Sequence, residues 1–249
     1  MDRWIATSAR VGADVEMGYG VVVEDEVEIG EGCRIGHHVV IRRGSKIGAQ
    51  VRIDDHAVIG KQPMRAANSA VTKDALQPPP VMGKLCIVGT GAVIYAGTTF
   101  GDAVLVADYA TVREQVTVGE RTIIGRGASV ENQCTVGAFC KIETNVYITA
   151  YSKLADRVFV APCVATSNDN FVGRTKERFK YFKGITVEKG GRIGTNVTVL
   201  PGKVIGEDAL VAAGSVVTKD APARKISMGS PAVPLRDVPE NQLLENQGW

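Results

Sequence analysis

The chain has 249 residues, of which 45% are apolar and only 6% aromatic, and a formal net charge of +2. A charge that small gives no general attraction to nucleic acid or to an acidic membrane, and no apolar run reaches membrane-spanning length. The start lacks the charged-then-apolar layout of a secretory signal, so a cytoplasmic location is expected.

From residue 5 an aliphatic side chain returns at every sixth position: Ile5, Val11, Met17, Val23, Ile29, Ile35, Ile41, Ile47, Ile53 and Ile59. The period restarts at Val88 and runs through Ile94, Phe100, Val106, Val112, Val118, Ile124, Val130, Val136, Ile142, Ile148 and Leu154 to Val160. A third block follows from Val187 to Val217. Six is the period of neither a helix nor an ordinary half-buried strand, and it marks a solenoid. Four residues beyond each aliphatic stands a small apolar residue or a hydroxyl (Val15, Val27, Cys33, Ala110, Thr122, Cys140), so both sets point into one narrow interior. Glycine often follows the aliphatic, as at Gly12, Gly30 and Gly119, where a corner leaves little room for a Cβ. Three short strands per coil would stack residues 18 apart at roughly 4.8 Å. The expected fold is an all-β parallel β-helix, a triangular prism over residues 1–238, followed by a tail at 239–249 forming a short helix. Five cysteines, three of them inward (Cys33, Cys134, Cys140), are read as small buried hydrophobes in a reducing compartment.

Two segments break the period, near 61–84 and 166–184, and loops of that length in a compact repeat tend to carry function. The second interleaves Arg174, Lys176, Arg178, Lys180 and Lys183 with Phe171, Phe179, Tyr181 and Phe182. Such a mixture can clamp phosphates and stack on a flat ring. Between the loops, the residue after the aliphatic is never glycine on one column: Tyr95, Arg113, Glu131 and Thr149 stack there, with Ala96, Glu114, Asn132 and Ala150 one position out. Eighteen residues beyond Ile148 lies Thr166, so the second loop is expected to leave from this same edge.

The third block closes with Ala212-Ala213-Gly214-Ser215-Val216-Val217-Thr218-Lys219 and then Gly229-Ser230-Pro231-Ala232. This resembles the closing signature of the acetyl-CoA-dependent hexapeptide-repeat acyltransferases, whose coil is the left-handed exception to the usual right-handed crossover. The resemblance implies acetyl-CoA as cosubstrate, a homotrimer with sites between subunits, and no metal. Ala213, Gly214, Lys219, Arg224 and Lys225 would hold the cofactor, the cations meeting its phosphates. The stretch Val160-Ala161-Pro162-Cys163-Val164-Ala165-Thr166-Ser167-Asn168-Asp169-Asn170, with Gly60-Lys61-Gln62-Pro63-Met64, is similar to the sugar-nucleotide N-acetyltransferases of dTDP-linked 3-amino-3,6-dideoxyhexoses. That implies a nucleotide amino sugar as acceptor, met by Arg65, Tyr95, Arg113, Asn168, Asn170, Arg174 and Arg178.

The middle coil carries Asn132 where many of these acyltransferases have a catalytic histidine, and His37, His38 and His56 all lie in the first block. Base duty would fall on Glu131, Glu143 or Asp169, or be dispensable because a sugar amine is partly neutral at mildly alkaline pH. Asn132 would then orient the amine or stabilise the oxyanion. Rival readings are a longer-chain acyltransferase and a non-catalytic scaffold. A zinc carbonic anhydrase would need three spaced histidines, and this chain lacks that spacing.

Overall fold

The computed structural model describes residues 3–72 and 75–248. Its strands form three sheets of eleven, ten and twelve strands, parallel and visited in rotation until the closing hairpin on the third. Face 1 begins with Trp4–Ile5, face 2 with Arg10–Val11 and face 3 with Glu16–Met17. Within a face, residues 18 apart are partners, as Val22 with Val40 and Val112 with Val130. The all-β parallel β-helix expected from the period is the fold observed, in accord with the left-handed coil of the transferases it resembles.

The inward aliphatics are buried from Val23 to Val217, together with Val21, Val27, Cys33, Val104, Ala110 and their counterparts. At the first coil the expectation fails, because Ile5 and Val11 are 41% and 40% exposed. Among the described residues their strands pair on one side only, with Val22–Val23 and Glu28–Ile29. Four cysteines follow the apolar reading, Cys33, Cys86, Cys134 and Cys140 being buried and free, whereas Cys163 stands exposed at a corner. Burial pushes the Cys134 thiol up to about 12 and those of Cys86 and Cys140 to about 11.

The corner glycines need a different explanation from a strained torsion. Positive φ falls two residues later, at Asp14, Gly20, Glu26, Gly32 and His38, mostly on residues with side chains. The glycine is needed because coils approach closely: a Cβ on Gly119 would lie 2.5 Å from the backbone nitrogen of Ala138 in the next coil.

Three boundaries differ from those read in the sequence. The coil resumes at Val81–Met82, where buried Met82 takes the inward place six residues before Val88. After Val217 the chain adds an antiparallel hairpin, Lys225–Gly229 with Ala232–Asp237, joined to face 3 through Leu210 and Ile226. The tail forms two 3-10 turns, Glu240–Gln242 and Leu244–Asn246, in place of one helix, and the expected tail's last residue, Trp249, lies outside the described residues. Both turns are anchored from below: Leu243 packs with Ile226 and Val238.

Candidate functional site

Both loops leave the prism at the corner between face 1 and face 2. The first follows the strand Val58–Lys61 and the second the strand Ala165–Thr166, both in face 1. Thr166 shows how the coil opens. It occupies the inward aliphatic position, and its hydroxyl donates to Tyr147 O (3.0 Å) and accepts from Thr149 N (2.8 Å). The polar column lies between the two exits, on the strands ending at Tyr95, Val112, Val130 and Ile148.

This column is far more enclosed than an exposed polar edge. Tyr95, Glu114, Asn132 and Thr149 are buried, and the Arg113 and Glu131 side chains are each 19% exposed. Arg113 donates Nε and Nη2 to the two oxygens of Glu114 (2.9 and 3.2 Å), and its Nη1 reaches Glu131 Oε2 at 3.5 Å. Its guanidinium sits 4.8 Å from the Tyr95 ring centre, with Lys61 Nζ 5.4 Å from the same ring. Burial pushes the Glu131 carboxyl above its usual range; Arg113 opposes that and Glu114 adds to it.

The first loop is stitched over the column. Thr72 accepts from Arg113 Nη2 (3.2 Å), and Gln77 accepts from Gln115 Nε2 (2.8 Å). Gln62 closes the loop's neck with two 2.9 Å bonds to the Gln77 backbone. Beneath it a cavity of about 60 Å3 is lined by Val71, Gln77, Glu114, Gln115, Asn132 and Gln133 among others. That holds a few waters and is far too small for a hexose. Asn132 is 1% exposed, and its Oδ1 is buried with no hydrogen-bond partner. A buried acceptor left unpaired costs about 1–3 kcal/mol, so this atom calls for a donor.

The second loop is knotted on itself. Asp169 accepts from the amides of Phe171 (2.9 Å) and Gly173 (3.0 Å) and pairs with Arg178 at 2.7 Å. Although burial works against its charge, these donors hold the Asp169 carboxyl below its usual range. Arg178 in turn lies 5.1 Å and 5.5 Å from the Phe179 and Phe182 rings. Asp169 and Arg178 therefore satisfy each other, while Asn170 and Arg174 are exposed. The backbone of Asn168 closes the loop's neck with Lys183. Arg65 stands exposed in the first loop.

The remaining expected site residues are spread over three corners. Lys219, two positions after inward Val217 of face 1, shares the column's corner. Glu143, Ala213 and Gly214 follow face 3 strands and lie at the corner between faces 3 and 1. Arg224 and Lys225 lie at the corner between faces 2 and 3 and pair with Glu245 (3.1 Å) and Asp237. The expected cationic cluster of Lys219, Arg224 and Lys225 is thus not assembled within one chain, and two of its members already have carboxylate partners. Thr72, Gln77 and Gln115, which fasten the first loop, carried no sequence signal, since single polar residues in a loop and a coil have no spacing that links them.

Two family models match the chain. The bacterial transferase hexapeptide (six repeats) covers residues 8–43, and the hexapeptide repeat of succinyl-transferase covers residues 114–150 and 184–219. The matched segments read as hexapeptide repeats of the kind those two models describe. Among solved structures the chain is similar to the Arabidopsis UDP-N-acetylglucosamine acyltransferase, at 16% identity over 94% of this chain and 72% of that one, with a TM-score of 0.58. That likeness shows a shared fold. Partial likenesses include a hexapeptide-repeat acetyltransferase from Vibrio cholerae complexed with acetyl coenzyme A (26% identity, 49% and 71% of the two chains, TM-score 0.44). Another is the N-acyltransferase AntD from Bacillus cereus in complex with dTDP and coenzyme A (20% identity, 64% and 84%, TM-score 0.40). No curated protein matches the chain significantly in sequence.

Proposed function

We propose that the chain is an acetyl-CoA-dependent N-acetyltransferase whose acceptor is the amino group of a nucleotide-linked amino-deoxysugar, with a dTDP-3-amino-3,6-dideoxyhexose as the first candidate. The observation that carries this reading is the partnerless Oδ1 of Asn132, buried one coil above Glu114 and beside Glu131. A buried unpaired acceptor of this kind is satisfied by a nucleophile that brings an N–H or O–H group, which an amine does and an anionic acceptor does not. The closing signature around Lys219 and the transferase-type repeats support acyl transfer as the reaction class.

In this mechanism Asn132 orients the neutral amine, whose lone pair attacks the thioester carbon. The C–N bond forms, the C–S bond breaks, and the departing thiolate takes up the excess proton. Aligned reactants are worth on the order of 7 kcal/mol or more, so positioning supplies much of the acceleration. Asp169 is committed to its loop and Glu114 to Arg113, which leaves Glu131 as the least neutralised carboxylate of the column.

The assembly we propose is a homotrimer packed through face 1. Along that face the outward residues carry no charge (Val22, Val40, Val58, Val93, Thr111, Tyr147), whereas face 2 opens with the ladder Arg10, Glu28, Lys46. Face 1 is flanked by the column and Lys219 on one side and by Glu143, Ala213 and Gly214 on the other. A second copy would bring those two edges together, supply the wall that the small cavity lacks, and let Glu143 reach the amine.

The test is product mass after incubation with acetyl-CoA and a panel of nucleotide amino sugars. An acetylated dTDP-amino sugar is expected. Saturable acetyl-CoA binding with no acetylated nucleotide sugar would overturn the acceptor, and no acetyl-CoA binding would overturn the whole reading.

A further inference from the structure

A second cavity, of about 270 Å3, lies on face 3 and the corner between faces 2 and 3, away from face 1. Its walls are mainly apolar. Phe159 stacks between Lys141 and Arg192 on the outside of face 3, one coil apart each. Phe139 stands on the neighbouring corner, with the Arg157 and Arg121 guanidinium groups 4.8 and 5.8 Å from its ring centre. The roof is the C-terminal tail: Gln242 Oε1 accepts from Arg192 Nη1 (3.1 Å), and Leu244 N donates to both oxygens of Asp208 (3.2 and 3.3 Å).

Arg192 is incompletely satisfied in this setting. Its Nε and Nη2 are buried and have no hydrogen-bond partner. Asp208, 3% exposed, forms no ion pair with it among the described residues and is occupied by the tail amide. Burial pulls the Arg192 pKa below its ordinary value, with Asp208 only partly opposing this. Nε and Nη2 together form the side-on fork of a guanidinium, whose two parallel N–H groups match the two oxygens of a carboxylate or phosphate. Arg192, the phenyl walls and an excess of cations over carboxylates line one cavity, on an edge that the proposed acetyl transfer does not use.

We infer that this cavity binds a small amphipathic oxyanion, with its apolar body between Phe139 and Phe159 and its carboxylate or phosphate on the Arg192 fork. Because Gln242 and Leu244 roof the cavity, the ligand enters by shifting the tail.

The test is calorimetry on the full chain with 3-phenylpropionate and phenyl phosphate, which share this chemistry, and with uncharged 3-phenylpropanol. Saturable binding of one anion per chain is expected, with the alcohol about 10- to 100-fold weaker, and whichever anion binds tighter identifies the headgroup. Arg192→Met should abolish the preference for anions while leaving alcohol binding unchanged. If Arg192→Met does not fold, Arg192→Lys keeps a charge without the fork and should still weaken the anions about tenfold. Saturating coenzyme A should not displace the probe. Equal binding of anion and alcohol, undiminished anion binding in the folded Arg192 variant, or displacement by coenzyme A would each overturn the inference, the last by making the cavity part of the donor site.

Discussion

Arg113 holds Glu114, its neighbour in sequence, through two hydrogen bonds of 2.9 and 3.2 Å, and touches Glu131, one coil away, only once at 3.5 Å. Glu131 is therefore the under-neutralised carboxylate of the column, and burial raises its folded-state pKa above the ordinary 4.5. A group raised in this way favours folding when protonated: its contribution is full below the unfolded pKa and is lost as pH rises through the folded one. Glu131→Gln should accordingly raise the Tm near pH 8, and its advantage over the parent should fade as pH falls toward about 4. Thermal melts across that range check this; a pH-independent gap would mean that Arg113 compensates Glu131 fully.

Asn132→Ala should lower kcat by about 10- to 1000-fold without abolishing turnover, the span of one lost orienting or oxyanion hydrogen bond. Glu131→Gln, Glu143→Gln and Asp169→Asn should each cost less than loss of a true general base, roughly 10²- to 10⁴-fold. Steady-state kinetics on folded variants decide: a single carboxylate variant that binds both substrates and turns over neither would establish a dedicated base.

Lys219→Ala should raise the KM for acetyl-CoA with kcat close to unchanged, because a phosphate contact far from the thioester is made equally in ground and transition states. Arg224→Ala should leave that KM unaltered, since Arg224 lies on another corner and pairs with Glu245. If Arg224→Ala has the larger effect, the donor site runs along the corner between faces 2 and 3.

Deleting Phe171 to Lys180 should abolish turnover of the nucleotide sugar and spare acetyl-CoA binding. The point variant Arg178→Ala should raise the acceptor KM by releasing the loop from its Asp169 anchor. Intact turnover after the deletion would reduce the loop to packing.

Gly119→Ala should destabilise the coil by about 1–3 kcal/mol, because the new Cβ would press on the backbone of Ala138, which has nowhere to move. Gln50→Gly, at φ +57, should stay within about 1 kcal/mol of the parent, as relief of the left-handed torsion offsets added freedom in the unfolded chain. Denaturant titration of the two variants checks the contrast.

The fold was legible because its determinant is periodic: a residue every six positions records the inward face, and 18 records the stacking. The shared edge of Glu131 and Thr166 came from the same arithmetic. The hairpin at Lys225–Asp237 is not legible in the sequence because it abandons the period and pairs antiparallel by local turn geometry. Lys219, Arg224 and Lys225 fall on two corners of a single chain for a related reason. Near the last coil proximity in sequence is not proximity in space: five residues carry the chain from one corner of the prism to the next. Arg192 is not legible either, because an outward arginine on a strand reads as solvated and the tail that covers it lies 50 residues along the chain.

Apart from a register shift between Ile59 and Lys61 and one lost rung pair at Thr166, both excursions leave the stacking of the coil in place. Val58 pairs with Val93 and Thr166 with Val199, 35 and 33 positions on, while the rungs between keep their spacing of 18. At this corner, chain length is uncoupled from the geometry of the wall, so a segment can be lengthened, shortened or exchanged without re-registering any strand. The prism works as a rack with interchangeable cassettes on one edge: a loop graft there would alter what is recognised and leave the fixed rungs, Asn132 among them, where they stand.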